Sequence, residues 1–301
     1  METNYHVPVM LQECIDGLAI NPAGVYVDVT FGGGGHSREI LKHLNKDGVL
    51  IAFDQDPDAQ RNKIDDKRFV FVDQNFGFLK NNLRLLGYKE VDGILADLGV
   101  SSHQFNEPSR GFSTRFDADL DMRMDKQRAL TAAEVLNTYA EDKLHKIFGI
   151  YGEVKNAKSL ARTIVTARMD KPIVTLADFK SVIAQHIPKG KENKYMAQVF
   201  QALRIEVNAE IDMLENFLEQ SASVLKKGGR LVVMSYHSLE DRPVKNFLAK
   251  GKFQGEVEKD FFGNEQKPFQ VITRKAVMAD EKEVAMNSRA RSAKLRIGEK
   301  L

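Results

Sequence analysis

The first part of the chain alternates short apolar runs with amphipathic segments of helical length. The runs are "VYVDV" (25–29), "GVLIAFDQD" (48–56), "RFVFVDQNF" (68–76) and "VDGILADLGVSS" (91–102). They are rich in β-branched and aromatic residues, as strands are. The alternation predicts an α/β fold with a parallel sheet covered by helices on both faces. Ligands of such sheets bind beyond the carboxyl ends of the strands.

The next run of comparable quality is "GGRLVVMSYHS" (228–238), far beyond the dozen or so residues that a parallel crossover needs. Two segments in this interval favour helices: "TAAEVLNTYAEDKLHKIFG" opens with a capping box from Thr131 to Glu134, and "TLADFKSVIAQHIP" begins at a predicted Thr175 cap. We therefore predict an inserted all-helical domain at 105–205 between two parts of a sheet domain, 1–104 and 206–301.

The segment "RIEVNAEIDMLENFLEQSASVL" is predicted to be the helix that leads back into the sheet. Its apolar positions recur at helical spacing along one stripe: Ile205, Ile211, Leu214, Leu218 and Leu225.

Four consecutive glycines follow the first strand, in "VDVTFGGGGHS" (27–37). A P-loop would close with Gly-Lys-Ser/Thr, whereas this loop closes with Gly35, His36 and Ser37. The dinucleotide fingerprint would need glycine or alanine at position 37 or 38, which hold Ser37 and Arg38. The turn therefore indicates a nucleoside ligand without a pyrophosphate.

Acidic residues end two of the predicted strands, and a third acidic residue lies inside another. Asp54 ends the second strand, where an acid accepts hydrogen bonds from a ribose diol, and Asp97 ends the fourth. Asp28 lies inside the first strand and is predicted to bond the loop backbone, because buried carboxylates need partners. S-adenosyl-L-methionine matches a site with a ribose-binding acid and no phosphate clamp.

Composition narrows the class of protein without identifying a partner. The 301 residues are 43% hydrophobic with a formal net charge of +2, so a nucleic-acid surface would have to be a local basic patch. No apolar stretch approaches the roughly 20 residues of a membrane span, and the N-terminus lacks a signal-peptide pattern, so a cytoplasmic location is expected. The single cysteine, Cys14, excludes an internal disulfide framework and is predicted to be a small apolar helix residue.

Nine stretches in order resemble the bacterial small-subunit ribosomal RNA (cytosine-N4) methyltransferase family. They are "HVPVMLQE", "DVTFGGGGHS", "AFDQDP", "ILADLGVSS", "RGFS", "LDMRMD", "FQALRIEVN", "SYHSLEDRPVK" and "NSRARSAKLR". The resemblance implies a Rossmann-like class I methyltransferase sheet with an inserted helical substrate-recognition domain. It also implies S-adenosylmethionine-dependent methylation of the exocyclic amine of one cytidine in the decoding region.

Carried over by position, the resemblance implies a set of cofactor-binding residues: Gly34, Gly35, His36, Asp54, Phe76, Asp97 and Gln104. Three positions depart from the family pattern, and none of them is a cofactor position. His103 stands where the family often has proline, Tyr236 where phenylalanine usually precedes "HSLED", and Pro243 lies inside "EDRPVK". The proline is predicted to fall in the first turn of a helix capped by Ser238.

Methyl transfer to cytosine N4 is an in-line displacement, so the enzyme mainly positions a nucleophile and excludes water. An acceptor for an N4 hydrogen would raise the nucleophilicity of the amine, and Asp97 or the "GVSS" segment is the candidate for this catalytic role. Methylation at C5 instead needs a thiolate nucleophile, and Cys14 has no proline-cysteine motif beside it. N4 chemistry is therefore favoured.

Basic side chains recur at helical spacing in "EVKNAKSLARTIVTARMDK", where Lys155, Lys158 and Arg162 are predicted to form a stripe that contacts RNA phosphates. Further candidates for RNA contact are Arg110, Arg123, His237 and, in the C-terminal "RARSAKLR", Arg289, Arg291, Lys294 and Arg296, together with the lysines of "KGKENK". A cytidine within stacked RNA must be displaced to be methylated, so the helical insertion is predicted to enclose a flipped base.

Two alternatives stay open at this point. One is a class I methyltransferase that acts on another nucleic-acid amine, and the other is a ribosome-assembly factor that uses the same fold without turnover. The expected partner is small-subunit ribosomal RNA, in an assembled subunit if the target is recessed. No metal-ligand cluster is evident in the sequence, and the oligomeric state is left open.

Overall fold

The computed structural model describes residues 8–99, 107, 110–113 and 117–301. The chain divides into two compact units, one comprising Met1–Gly99 with Ile211–Leu301 and the other comprising Val100–Glu210. We call them the sheet unit and the helical unit. The predicted insertion, 105–205, falls within the helical unit.

The strands are numbered in chain order. They are β1 Val25–Asp28, β2 Val49–Phe53, β3 Phe69–Val72, β4 Val91–Asp97, β5 Leu225–Ser235, β6 Glu258–Lys259, β7 Glu265–Gln266, β8 Phe269–Val271 and β9 Lys294–Lys300. Seven of them form one sheet in the order β3-β2-β1-β4-β5-β9-β8, and β6 pairs with β7 in a separate hairpin. Strands β1 to β5 are parallel, whereas β9 runs antiparallel to β5 and β8 antiparallel to β9. The predicted parallel α/β sheet is confirmed.

The helices are numbered in the same way. They are α1 Leu11–Leu18, α2 Gly35–His43, α3 Leu79–Leu85, α4 Ala132–Thr138, α5 Glu141–Ile150, α6 Ala157–Asp170, α7 Leu176–Ile183, α8 Glu192–Asn208, α9 Glu210–Val224, α10 Ser238–Lys250 and α11 Glu281–Met286. None of the helices in the described part of the chain has the length and apolar character that crossing a membrane requires.

Both faces of the sheet are apolar, because successive side chains of a strand point to opposite faces. On β4, Ile94 and Ala96 pack in one cluster with Phe217 of α9. Leu95 points the other way and packs with Cys14 of α1 and Ile40 of α2. Cys14 is fully buried, as its predicted role as a small apolar helix residue requires.

The helical unit has its own core, formed by the apolar faces of α4 to α8. Val135, Phe148, Leu160, Phe179 and Leu203 are all fully buried in it. The predicted capping box of Thr131 with Glu134 at the start of α4 is confirmed, as is the predicted Thr175 cap at the start of α7, where the structure adds a full capping box with Asp178. Each box satisfies backbone N–H groups that would otherwise lack partners at the helix start.

The helix predicted to lead back into the sheet is two helices, because α8 ends at Asn208 and α9 begins at Glu210. Ala209 between them adopts a left-handed conformation with φ 51°. The Asn208 side chain accepts the Met124 N–H and donates to the Met122 carbonyl, so it is committed to another loop of the helical unit. Leu225, predicted as part of the helical stripe, instead begins β5. The spacing of apolar residues carries no information about these tertiary hydrogen bonds, so it predicts one continuous helix.

Three further local predictions are wrong. Ser238 is the first residue of α10 rather than its cap, since His237 occupies the cap position, and Pro243 lies in the second turn rather than the first. The connection from β2 to β3 contains a 3-10 helix, Pro57–Asn62, in place of the expected α-helix.

Candidate active site

The strand order reverses at β1 and β4, which makes their carboxyl ends the expected ligand-binding edge of the sheet. From β1 the chain proceeds outward to β2 and β3, and then returns to the other side of β1 to form β4 and β5. The two strand ends are tied together, because the Asp97 N–H donates to the Thr30 hydroxyl oxygen (2.7 Å). Asp28, Asp54 and Asp97 all lie at this edge, at the ends of β1, β2 and β4.

The glycine turn joins β1 to α2. Gly32 and Gly34 have φ of 50° and 76°, a region that favours glycine. A Cβ at Gly34 would also lie 2.9 Å from atoms of the Phe31 ring. Among the described residues, no side chain caps the start of α2 at Gly34, and the first N–H groups of a helix have no intrahelical acceptors.

The segment around Pro8 packs on this turn. A Cβ at Gly35 would overlap the Pro8 ring, and a ring nitrogen of His36, Nε2, lies 3.2 Å from the Val9 carbonyl oxygen. The Met10 N–H in turn donates to the Glu283 carboxylate (2.6 Å). Pro8 and Val9 therefore cover one side of the turn, a contact that local sequence patterns do not encode.

The Asp28 side chain stabilises the glycine turn through hydrogen bonds. It is fully buried, accepts the Ser37 hydroxyl (2.7 Å) and accepts the Thr30 N–H (3.1 Å). Burial raises the pKa of its carboxyl, and the nearby His36 and the Ser37 bond act in the opposite direction. The prediction that Asp28 bonds the loop backbone is confirmed.

Asp54 connects the end of β2 to the glycine turn. One carboxylate oxygen accepts the Gly32 N–H (2.7 Å) and the other accepts the Asp56 N–H (2.8 Å). Burial nevertheless raises its pKa to about 7. Each carboxylate oxygen has two acceptor sites, so capacity remains for the hydroxyls of a ribose.

Asp97 lies between two polar side chains. Its Oδ1 accepts the Tyr236 hydroxyl (2.7 Å), and its Oδ2 is 4.0 Å from Nδ1 of His36. Burial raises the pKa of Asp97 to about 6, against the opposing effects of His36 and Tyr236. At neutral pH the carboxylate form therefore dominates.

Phe76 follows β3 and starts a 3-10 turn that is capped by the Asn75 side chain. The ring is half-buried and packs edge-on against Phe217 with centroids 5.4 Å apart. Its packing partner lies in the core, and its partial exposure leaves ring surface that can contact an adenine. The other predicted cofactor residue in a loop, Gln104, lies outside the described residues.

These residues fit the parts of S-adenosyl-L-methionine. The side-chain-free backbone of Gly34 and the uncapped start of α2 suit the carboxylate of its amino-acid end, since helix N-termini attract anions. Asp54 suits the ribose diol, and Phe76 suits the purine. Asp97 and His36 complete the polar side of the site.

The predicted basic stripe is exposed on the helical unit. Lys158 and Arg162 lie one turn apart on α6, and their side chains are solvent-exposed. Lys155 is also exposed but precedes the helix, so the stripe begins in the preceding turn. The lysines of "KGKENK", at 189, 191 and 194, are exposed as well.

Arg110 and Arg123 are engaged within the helical unit. Arg110 is only 2% exposed and donates to the carbonyls of Arg123 and Met124. Arg123 forms a bidentate ion pair with Asp121 and donates to the Arg128 carbonyl. In this arrangement both guanidinium groups support the loop, and neither is available as a phosphate contact without rearrangement.

The C-terminal basic residues divide into two groups. Arg291 is exposed and Arg289 half-buried in the 3-10 turn Ser288–Ser292. Arg296 is buried on β9 in a bidentate ion pair with Asp241 (2.6 and 3.1 Å), and Lys294 lies 3.6 Å from the same carboxylate. The prediction that Arg296 belongs to a basic RNA-binding tail is therefore wrong, because the segment is a sheet strand.

His237, the candidate RNA contact that follows β5, pairs with a side chain of α10, the helix that begins at the next residue. Its Nε2 lies 3.0 Å from the Glu240 carboxylate, and that carboxylate also accepts the Tyr236 N–H (2.9 Å). Sequence patterns alone do not indicate Tyr236 as a site residue. Its position just after the late strand, at the ligand edge, was the available signal.

Comparison with known proteins gives a consistent result across the chain. The model of the MraW methylase family matches residues 3–301. A protein of Flavobacterium johnsoniae named ribosomal RNA small subunit methyltransferase H is 57% identical over 297 residues, which covers 99% of this chain and 98% of that protein. The protein of the same name from Cytophaga hutchinsonii is 57% identical over 298 residues, covering 98% of this chain and 99% of the relative.

Among solved structures, an rRNA methylase from Streptococcus thermophilus aligns over 98% of this chain and 99% of its own, with 12% identity and a TM-score of 0.40. A likeness at this level supports no conclusion about function.

Proposed function

The chain belongs to the MraW methylase family, and on this premise we propose that it methylates N4 of one cytidine in the decoding region of small-subunit ribosomal RNA. As a member of a methylase family the protein is a methyltransferase, and its methyl donor is S-adenosyl-L-methionine. When bound, this donor supplies a methyl group on a positively charged sulfur.

The observation that carries the proposal is the arrangement at the carboxyl edge of the sheet. The turn residues Gly32 and Gly34 adopt conformations that favour glycine, Asp54 is fixed to the turn by the Gly32 N–H, and Asp97 is held nearby at the end of β4. We assign Asp54 to the ribose, Gly34, Gly35 and His36 to the amino-acid end, and Phe76 to the adenine. Gln104 stays in the proposed set on the resemblance alone.

Asp97 is our candidate acceptor for the N4 proton. The lone pair of N4 is delocalised into the cytosine ring, so an acceptor bonded to an N4 hydrogen increases its nucleophilicity. With a pKa of about 6, the Asp97 carboxyl is mostly ionised at neutral pH and still basic enough to take a proton.

The state of Cys14 supports attack by N4 over covalent C5 chemistry. The thiol is fully buried in the sheet unit, and burial together with the charge of Asp97 raises its pKa well above the usual range. A thiolate nucleophile is therefore unavailable from this residue at neutral pH.

The helical unit is our candidate RNA surface. Lys155, Lys158 and Arg162 are exposed there, and Arg291 is an exposed candidate on the sheet unit. Cationic side chains of this kind neutralise phosphates and position the nucleic acid without reading its sequence. Arg110 and Arg123 are not among the proposed RNA contacts, because N–H groups of both guanidinium groups already donate to acceptors within the helical unit.

The deciding experiment is methyl transfer from labelled S-adenosylmethionine to small subunits that lack the modification, with naked ribosomal RNA assayed in parallel. We expect label in N4-methylcytidine at one position, and preferentially in the assembled subunit. Label in another nucleoside would show that the methyl acceptor is not N4 of cytidine. Donor binding without transfer to either substrate would favour a non-catalytic assembly role.

A further inference from the structure

The Tyr236 hydroxyl and Asp97 form a side-chain pair between two neighbouring strand ends. Tyr236 directly follows β5, Asp97 ends β4, and the hydroxyl oxygen lies 2.7 Å from Oδ1 of the carboxylate. Asp97 is also fixed through its main chain, because its N–H donates to Thr30. Within the described part of the chain, Asp97 is thus held through its backbone N–H and through one of its two carboxylate oxygens.

The second oxygen, Oδ2, faces His36. Nδ1 of the imidazole is 4.0 Å from Oδ2, while Nε2 is 3.2 Å from the Val9 carbonyl oxygen. A carbonyl can only accept, so the hydrogen-bond network assigns a hydrogen to Nε2. Nδ1 is therefore the ring nitrogen that faces Asp97, at a separation beyond hydrogen-bond distance.

The groups around Asp97 act on its protonation in opposite directions. Asp28 on β1 and Glu240 on α10 disfavour the ionised carboxylate, whereas His36 on α2 and the Tyr236 hydroxyl favour it. Cys14 on α1 is a neutral thiol near the same carboxylate, because burial and the negative charge of Asp97 both raise the pKa of that thiol. Burial and the Asp97 charge raise the pKa of Tyr236 well above its usual range, so its hydroxyl remains a donor at every working pH.

We propose that Tyr236 is a positioning residue for methyl transfer, which keeps Asp97 ionised and leaves Oδ2 to accept the N4 proton. This inference rests on the proposed function. As the bond from N4 to the methyl carbon forms, the bond from sulfur to that carbon breaks and sulfur keeps its electron pair. One N4 proton then passes to Oδ2, so the sulfonium and carboxylate charges are both neutralised.

The test is Tyr236→Phe, which removes the donor and keeps the ring. Loss of a hydrogen bond to the carboxylate raises the pKa of Asp97, so the acid limb of the kcat profile moves to higher pH. We expect kcat to fall about fivefold at pH 6 and to stay within about twofold at pH 8, with KM for S-adenosylmethionine unchanged. A purely structural loss would lower kcat equally at both pH values.

Tyr26→Phe is the matched control. Tyr26 is a buried tyrosine of β1 whose hydroxyl oxygen accepts the Asn21 N–H, at the opposite end of the strand from the site. Its removal costs one hydrogen bond in the same unit without touching Asp97, so the pH profile should match that of the wild type.

A second measurement is independent of RNA. The carboxyl carbon of Asp97 in the full-length protein, labelled with carbon-13 and assigned through Asp97→Asn, should titrate at higher pH in Tyr236→Phe than in the wild type or in Tyr26→Phe. An unchanged titration midpoint, or a changed midpoint with an unchanged kcat profile, would overturn the inference. Failure of the wild-type chain to methylate any ribosomal cytidine would instead contradict the proposed function. The two failures are distinguishable, because the Asp97 titration is measured without RNA.

Discussion

The Asp54 carboxyl accepts two backbone N–H bonds and still has a pKa raised to about 7. Burial disfavours its charged form more than the two bonds favour it. Because the folded-state pKa lies above the usual value, the folded chain binds this proton more tightly than the unfolded chain does. The contribution of Asp54 to stability is therefore largest below about pH 4 and declines as pH rises toward about 7.

This raised pKa predicts that donor binding depends on pH. A ribose diol donates to the carboxylate, so binding favours the ionised form, and the affinity for S-adenosylmethionine should increase as pH rises through about 7. Asp54→Asn should weaken binding by roughly 10- to 100-fold at pH 8, the range expected for hydrogen bonds to a charged group. Titration calorimetry at pH 6, 7 and 8 measures both effects.

Asp47→Asn is the matched control, since Asp47 is an exposed acid in the turn before β2, at the far end of the same strand. The difference between the two variants isolates Asp54 from titration of the ligand itself. If Asp54→Asn showed the same affinity and pH dependence as this control, the assignment of Asp54 to the ribose would be abandoned.

At the scale of elements, the strand–turn–helix of β1 and α2 depends on a glycine with φ 76° at position 34. Its neighbour Phe31 accepts the Gly34 N–H at the main-chain carbonyl (2.7 Å) and places its ring where a Cβ would lie. Backbone conformation and side-chain packing therefore both demand glycine at this position.

Gly34→Ala should lower both the free energy of unfolding and the affinity for S-adenosylmethionine. The left-handed conformation alone costs a non-glycine residue about 1–2 kcal/mol. Gly87→Ala is the control that measures this backbone cost alone, because Gly87 has φ 87° and nothing lies within 4 Å of its added Cβ. Chemical denaturation of both variants should show a larger loss for Gly34→Ala, and only that variant should bind the donor more weakly. Equal losses would mean that Phe31 moves aside freely.

At the scale of the whole molecule, the two compact units correspond to two proposed tasks, donor binding and RNA binding. A nearly neutral chain can bind RNA only through local basic surface, and Lys158 and Arg162 are the exposed pair on α6. Their effect should therefore be electrostatic and separable from the donor site.

The double variant Lys158→Glu, Arg162→Glu should bind small-subunit RNA more weakly, with a shallower dependence of log affinity on log salt, by about one for each lost phosphate contact. Its affinity for S-adenosylmethionine should be unchanged. The double variant Lys46→Glu, Lys89→Glu, at two exposed lysines before β2 and β4 at the edge away from the site, makes the same change of net charge and is the control. An unchanged salt slope in the Lys158→Glu, Arg162→Glu variant would remove α6 from the RNA surface.

Local sequence patterns predicted the strands and helix starts whose formation depends mainly on residues close together in the chain. Apolar runs predicted β1 to β5, because strands buried on both faces must be apolar, and Thr131 and Thr175 predicted helix starts, because their caps use only neighbouring residues. The glycines and the strand-end acids indicated the ligand edge, since parallel strands bring their carboxyl ends together. The resemblance added the reaction and the remaining donor-site residues.

The sequence by itself thus determined the α/β fold, the ligand edge and the class of donor, because each depends on short-range periodicity or on a few adjacent residues. Tertiary structure alone decided that Arg296 pairs with Asp241, that Ala209 breaks a continuous apolar stripe, and that Tyr236 bonds Asp97. These outcomes join residues far apart in the chain or depend on hydrogen bonds made elsewhere in the fold. The energy of such contacts is set by distance, burial and geometry, and these exist only once the chain has folded.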